Sequence, residues 1–214
     1  VALKTVVAPK RVQTALTEVL PSLVQFLQQN PQVGVHHHDV HDREIKLWLP
    51  VYVGTAPVSS RSRRKRASTR ARLAAKRIAW LCFLKTRQGV NAAIELQVER
   101  SGSIRHQFQQ GEFIQHAFAR MRAAARDQRL RGGAYTARLL NIPGMYFSAL
   151  WFKSASREQF VALVSIGNEV KAGGFYSRSE IVRALNDEAS RRKEAHQIIL
   201  ARKRQVSSAA DSLS

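Results

Sequence analysis

Between Glu44 and Glu95 this chain has no acidic residue, and within that interval its character changes abruptly. Arg61, Arg63, Arg64, Lys65, Arg66, Arg70 and Arg72 crowd one stretch, Lys76 and Arg77 follow, and Ile78 to Leu84 is then apolar throughout. A chain with such a segment must bury one end of it and keep the other in water or against an anion, because an unpaired cation is costly to take into a core. No Gly or Pro interrupts residues 61–84. Leu73, Ala74, Ile78, Leu81 and Leu84 recur at helical spacing, so the pattern predicts a helix from Thr69 onward, capped by Ser68 or Thr69. A helix N-terminus carries partial positive charge and disfavours cations. Arginines loaded there call for an outside anion, as phosphates supply at helix N-termini. The plainer alternative is a solvated basic loop joined to an ordinary core helix.

The charge balance supports the first reading. Lys and Arg total 35 against 15 Asp and Glu, a net charge of +20, which favours nucleic acid or another anionic surface as partner. No apolar stretch is long enough to span a membrane, so no membrane partner is expected. A hydrophobic content of 44% over 214 residues suits a globular chain with one sizeable core or two small ones. The single Cys82 rules out an internal disulfide and a cysteine-based zinc site, and its apolar neighbours predict a buried, inert thiol. The opening VALKTVVAPK has no signal-length apolar core, which sets a cytoplasmic expectation.

Along the chain, Pro9 can begin a helix whose face is Val12, Leu16, Val19, Leu20, Leu23, Val24 and Leu27, with a kink or split expected at Pro21. Ile45, Leu47, Leu49, Val51 and Val53 alternate with Lys46, Trp48 and Tyr52 as in a half-buried strand, and Pro50 suggests an edge or bulge. Ile94, Leu96 and Val98 begin a hairpin that turns at Ser101-Gly102 and returns through Ile104, His106 and Phe108. A second helix follows Gly111, its apolar stripe Phe113, Ile114, Ala117, Phe118, Met121 and Ala125. Arg122, Arg126 and Arg129 form a basic stripe on that segment, and Arg120, Arg131 and Arg138 extend it. Such cations near a helix C-terminus also complement its dipole. Residues 139–152 are rich in strand formers and broken by Pro143-Gly144, with 160–166 as an antiparallel partner. Tyr146 and Trp151 are candidates to stack on bases, although their aliphatic neighbours predict core packing. Ser177 to Glu180 reads as a capping box before a long helix.

Catalytic signals are incomplete. His36, His38, His41, Asp42 and Glu44 have the chemistry of metal ligands, but the metallo-hydrolase spacing fails at Val40. Glu44-Ile45-Lys46 matches the E-x-K of a nuclease site without its further acidic ligand. No complete catalytic motif and no cofactor motif is present. Lys65–Ser68 matches a basophilic kinase site and Arg63–Arg66 a processing or nuclear-targeting signal, matches short enough to arise by chance.

The sequence therefore predicts an α+β fold: a mostly antiparallel sheet with packed helices, a basic arm or helix, and a long C-terminal helix. It expects one domain over 1–205 with a basic insertion at 55–77 and a disordered tail at 206–214. The leading functional expectation is sequence-independent binding of RNA or DNA phosphates. The residues expected to carry it are Arg61, Arg63, Arg64, Lys65, Arg66, Arg70, Arg72, Lys76 and Arg77, with Arg122, Arg126 and Arg129 as a second patch. The alternatives are a subunit of a nucleoprotein or virion-like assembly, joined to other proteins through the C-terminal helix, and a metal-dependent nuclease.

Overall fold

The computed structural model describes Lys4 and residues 6–29, 47–55, 73–86 and 89–211. Its frame is one sheet of eight strands: β1 (Leu47–Gly54), β2 (Ala75–Thr86), β3 (Gly89–Val98), β4 (Ile104–Gln110), β5 (Thr136–Ile142), β6 (Phe147–Lys153), β7 (Glu158–Ala162) and β8 (Phe175–Tyr176). The order is β4-β3-β2-β1-β5-β6-β7-β8. Every pairing is antiparallel except the central β1–β5 pair, so two four-strand meanders meet along one parallel seam. Among the described residues three α-helices accompany the sheet: α1 (Lys10–Gln29), α2 (Glu112–Arg126) and α3 (Arg178–Asp211). This is the α+β architecture the sequence predicts.

The apolar run after Arg77 is a strand, which corrects the expected helix. From Ala79 to Leu84 six consecutive side chains are each at most 4% exposed. Ala79, Leu81 and Phe83 pack on one face with Ile114, Ala117 and Met121 of α2. Trp80, Cys82 and Leu84 pack on the other with Val12, Leu16, Leu20 and Leu23 of α1. A short run that is apolar on every side fits a buried helix or a strand covered on both faces, and periodicity alone does not separate them. The neighbours decide: β2 pairs with β1 on one side and β3 on the other.

The remaining faces follow the same division. α2 covers the face that also buries Leu49, Val51, Leu139, Leu150 and Phe152. α3 joins α1 on the opposite face, packing Ile181, Val182 and Leu185 against Leu140, Ala149, Trp151 and Phe160. Of the kink or split expected at Pro21, the split is absent: α1 continues through Pro21 as one helix. Pro21 and Thr17, whose carbonyl a proline at position 21 cannot bond, are both exposed. Pro50 marks no edge, since β1 is central, but the β1–β2 register slips between Val51 and Tyr52, one residue beyond it. α3 runs to Asp211, past the expected end at 205. No described helix is long and apolar enough to cross a membrane.

At the start of α3 the capping box is formed. The Ser177 amide donates to Glu180 Oε2 at 2.6 Å, and the Glu180 amide donates to Ser177 Oγ at 3.3 Å. The Ser177 hydroxyl, and then its amide, hold the Glu180 carboxyl below its ordinary range. Ser177→Ala should cost about 1 kcal/mol in urea denaturation, and no loss would mean that α3 does not depend on this cap. Burial pushes the Cys82 thiol from an ordinary 9.0 up to about 12. The folded chain then holds this proton more tightly than the unfolded one. The resulting stability is complete below about pH 9 and is lost as pH rises towards 12. Cys82→Ala should therefore lose less stability than wild type across that alkaline window, and identical pH profiles would contradict the dry setting of Cys82.

Candidate functional site

Most of the predicted arm, from Arg61 to Arg72, lies outside the described residues, but both of its attachment points are described. The Thr55 amide donates to the Ala74 carbonyl at 3.3 Å, which ties the two ends of the segment together. Leu73 is buried in one cluster with Leu140, Ile142, Met145 and Phe147. In sequence, seven cations fall between these two points, which lie at one end of the sheet.

Lys76 and Arg77 stand at that same end, exposed at the start of β2. Arg77 pairs across β1–β2 with Tyr52, and its guanidinium lies 5.0 Å from the Trp80 ring centroid. Neither cation has a carboxylate partner among the described residues. The helix-terminus argument does not apply to these two, because they lie on a strand. Their lack of neutralisation remains. Beside them, Arg11 in the first turn of α1 donates to the Gly102 carbonyl. Arg11 and Arg77 both line a cavity of about 260 Å³, together with Pro9, Trp80 and Val98.

The second predicted patch divides. Arg129 is committed within the chain: its Nε and Nη2 reach the two Asp127 carboxylate oxygens at 2.9 and 3.0 Å. Its guanidinium also lies 3.9 Å from the Phe175 ring centroid. The Arg129 side chain, then its amide, hold the Asp127 carboxyl below its ordinary range, and Asp127 raises Arg129 in return. Arg122 and Arg126 are exposed with no carboxylate partner among the described residues. They sit on α2, which covers the face away from Arg77, so they do not join Arg77 in one surface.

A constellation that sequence reasoning missed crosses four strands on the α1 and α3 face. Arg138 on β5 lies opposite Trp151 on β6, its guanidinium 4.8 Å from the Trp151 ring and 5.0 Å from the Tyr52 ring. Tyr52 meets Trp151 edge-on at 5.3 Å, and Trp151 stacks on Phe160 at 5.9 Å. Arg138 Nε and Trp151 Nε1 are buried without an acceptor. Lys153 also approaches the Trp151 ring, at 5.5 Å, but Glu158 lies 3.5 Å from it and 2.9 Å from Arg178. Among the described residues Arg138 meets the Tyr52 and Trp151 rings and no carboxylate, an attraction of about 0.5–2 kcal/mol per ring that leaves its charge intact. The legible signal was register: period two puts Arg138 on the same face as Leu140 and Ile142, where a cation is out of place.

The two candidate stacking aromatics part company. Trp151 is core, 5% exposed, as expected, whereas Tyr146 is 80% exposed and corrects the expectation that it packs inside. The candidate ligands His36, His38, His41, Asp42 and Glu44, and with them Glu44-Ile45-Lys46, lie outside the described residues. Among the described residues no three His, Cys, Asp or Glu side chains gather as a metal ion would require. Comparison of the chain with protein-family models, curated proteins and solved structures gave no match.

Proposed function

We propose that this chain binds nucleic acid, RNA or DNA, through its phosphate backbone at the sheet end from which the basic segment departs. One observation carries the reading. Lys76 and Arg77 stand without carboxylate partners among the described residues, at the root of a segment holding seven further cations. With a net charge of +20 the compact chain repels itself, and a polyanion relieves that repulsion by direct contact and by release of its own condensed counterions. Contacts of this kind fix position on a backbone and carry no base code.

A second reading, a subunit of a larger nucleoprotein assembly, draws on one feature of α3. Residues 190–200 are all exposed, including Ile198, Ile199 and Leu200 at 55%, 53% and 42%. An apolar patch on a helix that extends past its packing partners suits a protein neighbour. The two readings are compatible, since a basic arm can hold nucleic acid while α3 contacts another subunit.

Salt dependence tests the phosphate reading. With roughly six to ten phosphate contacts, affinity for a mixed-sequence oligonucleotide should fall by about 10³–10⁵ between 50 and 200 mM salt. The pair Lys76→Gln and Arg77→Gln should weaken binding about equally on unrelated sequences and reduce the salt slope by roughly one unit per residue. Arg129→Gln, already neutralised by Asp127, should leave the slope unchanged. A shallow slope that neither pair nor arm substitutions alter would reject the proposal.

A further inference from the structure

Tyr146 closes the turn between β5 and β6, where Pro143–Met145 form one turn of 3-10 helix. Its backbone is left-handed, at φ 52° and ψ 35°, the one non-glycine residue at positive φ among those described. Such a conformation is uncommon for a bulky side chain, and Gly or Asn would adopt it more readily. The residues on either side, Met145 and Phe147, are 6% and 1% exposed, so the turn buries both neighbours and turns the phenol outward.

The ring is also supported from behind. Arg192 of α3 places its guanidinium 5.6 Å from the Tyr146 ring centroid. That guanidinium is itself fixed. Its Nε donates to Glu188 Oε1 at 2.8 Å, and its Nη1 and Nη2 donate to the carbonyls of Gly144 and Met145 at 3.3 and 3.4 Å. A cation on one face of a ring that is 80% exposed leaves the opposite face open to a flat partner.

Position decides what that partner is. Leu73, where the basic segment rejoins the described chain, packs in the same cluster as Met145 and Phe147. β2, β1, β5 and β6 are successive neighbours, so the starts of β2 and β6 lie roughly 14 Å apart across the sheet. A polymer whose phosphates lie on Lys76 and Arg77 at the start of β2 therefore has its next groups within reach of Tyr146. In a duplex the base faces are covered by their neighbours, so only an unpaired base offers one to an aromatic ring. We infer that Tyr146 is a stacking platform for an unpaired base, which makes the ligand a single-stranded nucleic acid. This inference rests on the phosphate-binding reading above and specifies the strandedness that reading leaves open.

The test measures fluorescence anisotropy of the full chain with three probes of equal length: a mixed-sequence single strand, its duplex, and an abasic strand with the same phosphates. Tyr146→Ala should weaken single-strand binding roughly tenfold, with duplex and abasic binding and the salt slope unchanged. Tyr146→Phe should bind the single strand nearly as wild type does. A thermal melt of each variant confirms folding, which removal of an exposed ring leaves intact. If Tyr146→Ala binds the single strand as wild type does, or loses equally on all three probes, the stacking inference is overturned and the phosphate reading stands. If wild type binds none of the probes, the phosphate reading falls and the inference with it.

Discussion

The structure depends on a sheet whose central strands must be hidden on both faces. β2 shows this most clearly, with consecutive buried side chains directed alternately at α2 and α1. Three helices suffice because two share one face, α1 over the first meander and α3 over the second. The fully buried Leu and Phe side chains each contribute about 1.5–3 kcal/mol. An unpaired charge is costly to bury in that apolar surface, so apart from Arg138 most cations fall at strand ends, helix exteriors and in the sequence between β1 and β2.

The few acidic residues then decide which cations are neutralised. Glu158 serves both Lys153 and Arg178, Glu188 serves both Arg191 and Arg192, and Asp127, Glu99 and Glu169 hold Arg129, Arg105 and Arg183. Exposed pairs like these add little stability, about 0–1 kcal/mol each. Their consequence is local: they cancel charge on the second meander, on α3 and at the β3–β4 turn. Lys76, Arg77, Arg122, Arg126 and Arg138 receive no such partner among the described residues. The charge of the described residues is therefore uneven, with Lys76 and Arg77 left without carboxylate partners at the β1–β2 end of the sheet. Tyr146 stands at that end too, held by an arginine whose own charge Glu188 offsets.

How much of this was legible depended on whether a signal was local. The α3 capping box, the 94–108 hairpin, α2 and the β5–β6 break at Pro143-Gly144 each lie within a few residues and were read correctly. The 78–84 run was misread because a helix packed all round and a strand packed on both faces have the same composition, and only β1 and β3 distinguish them. Arg138 is legible as an extension of the second basic patch but not as a cation among rings, because its ring partners come from β1 and β6, far apart in sequence. Tyr146 was assigned to the core from its aliphatic neighbours. Those neighbours are buried, but a left-handed residue between them points the other way, and backbone sign is not written in hydrophobicity. Arg129 was counted with Arg122 and Arg126 because helical spacing shows the stripe and not the Asp127 hydrogen bonds beyond its end.

The central claim is that the cations around the β1–β2 segment are neutralised from outside the chain, by a polyanion. The most direct measurement is the ultraviolet absorbance ratio of protein purified at low salt, followed by digestion of whatever accompanies it with ribonuclease or deoxyribonuclease. The account predicts a nucleic-acid absorbance at low salt that a high-salt wash removes and that substitution of Lys76 and Arg77 reduces. Protein that is free of nucleic acid at low salt, and stays free when RNA and DNA are added back, would contradict it.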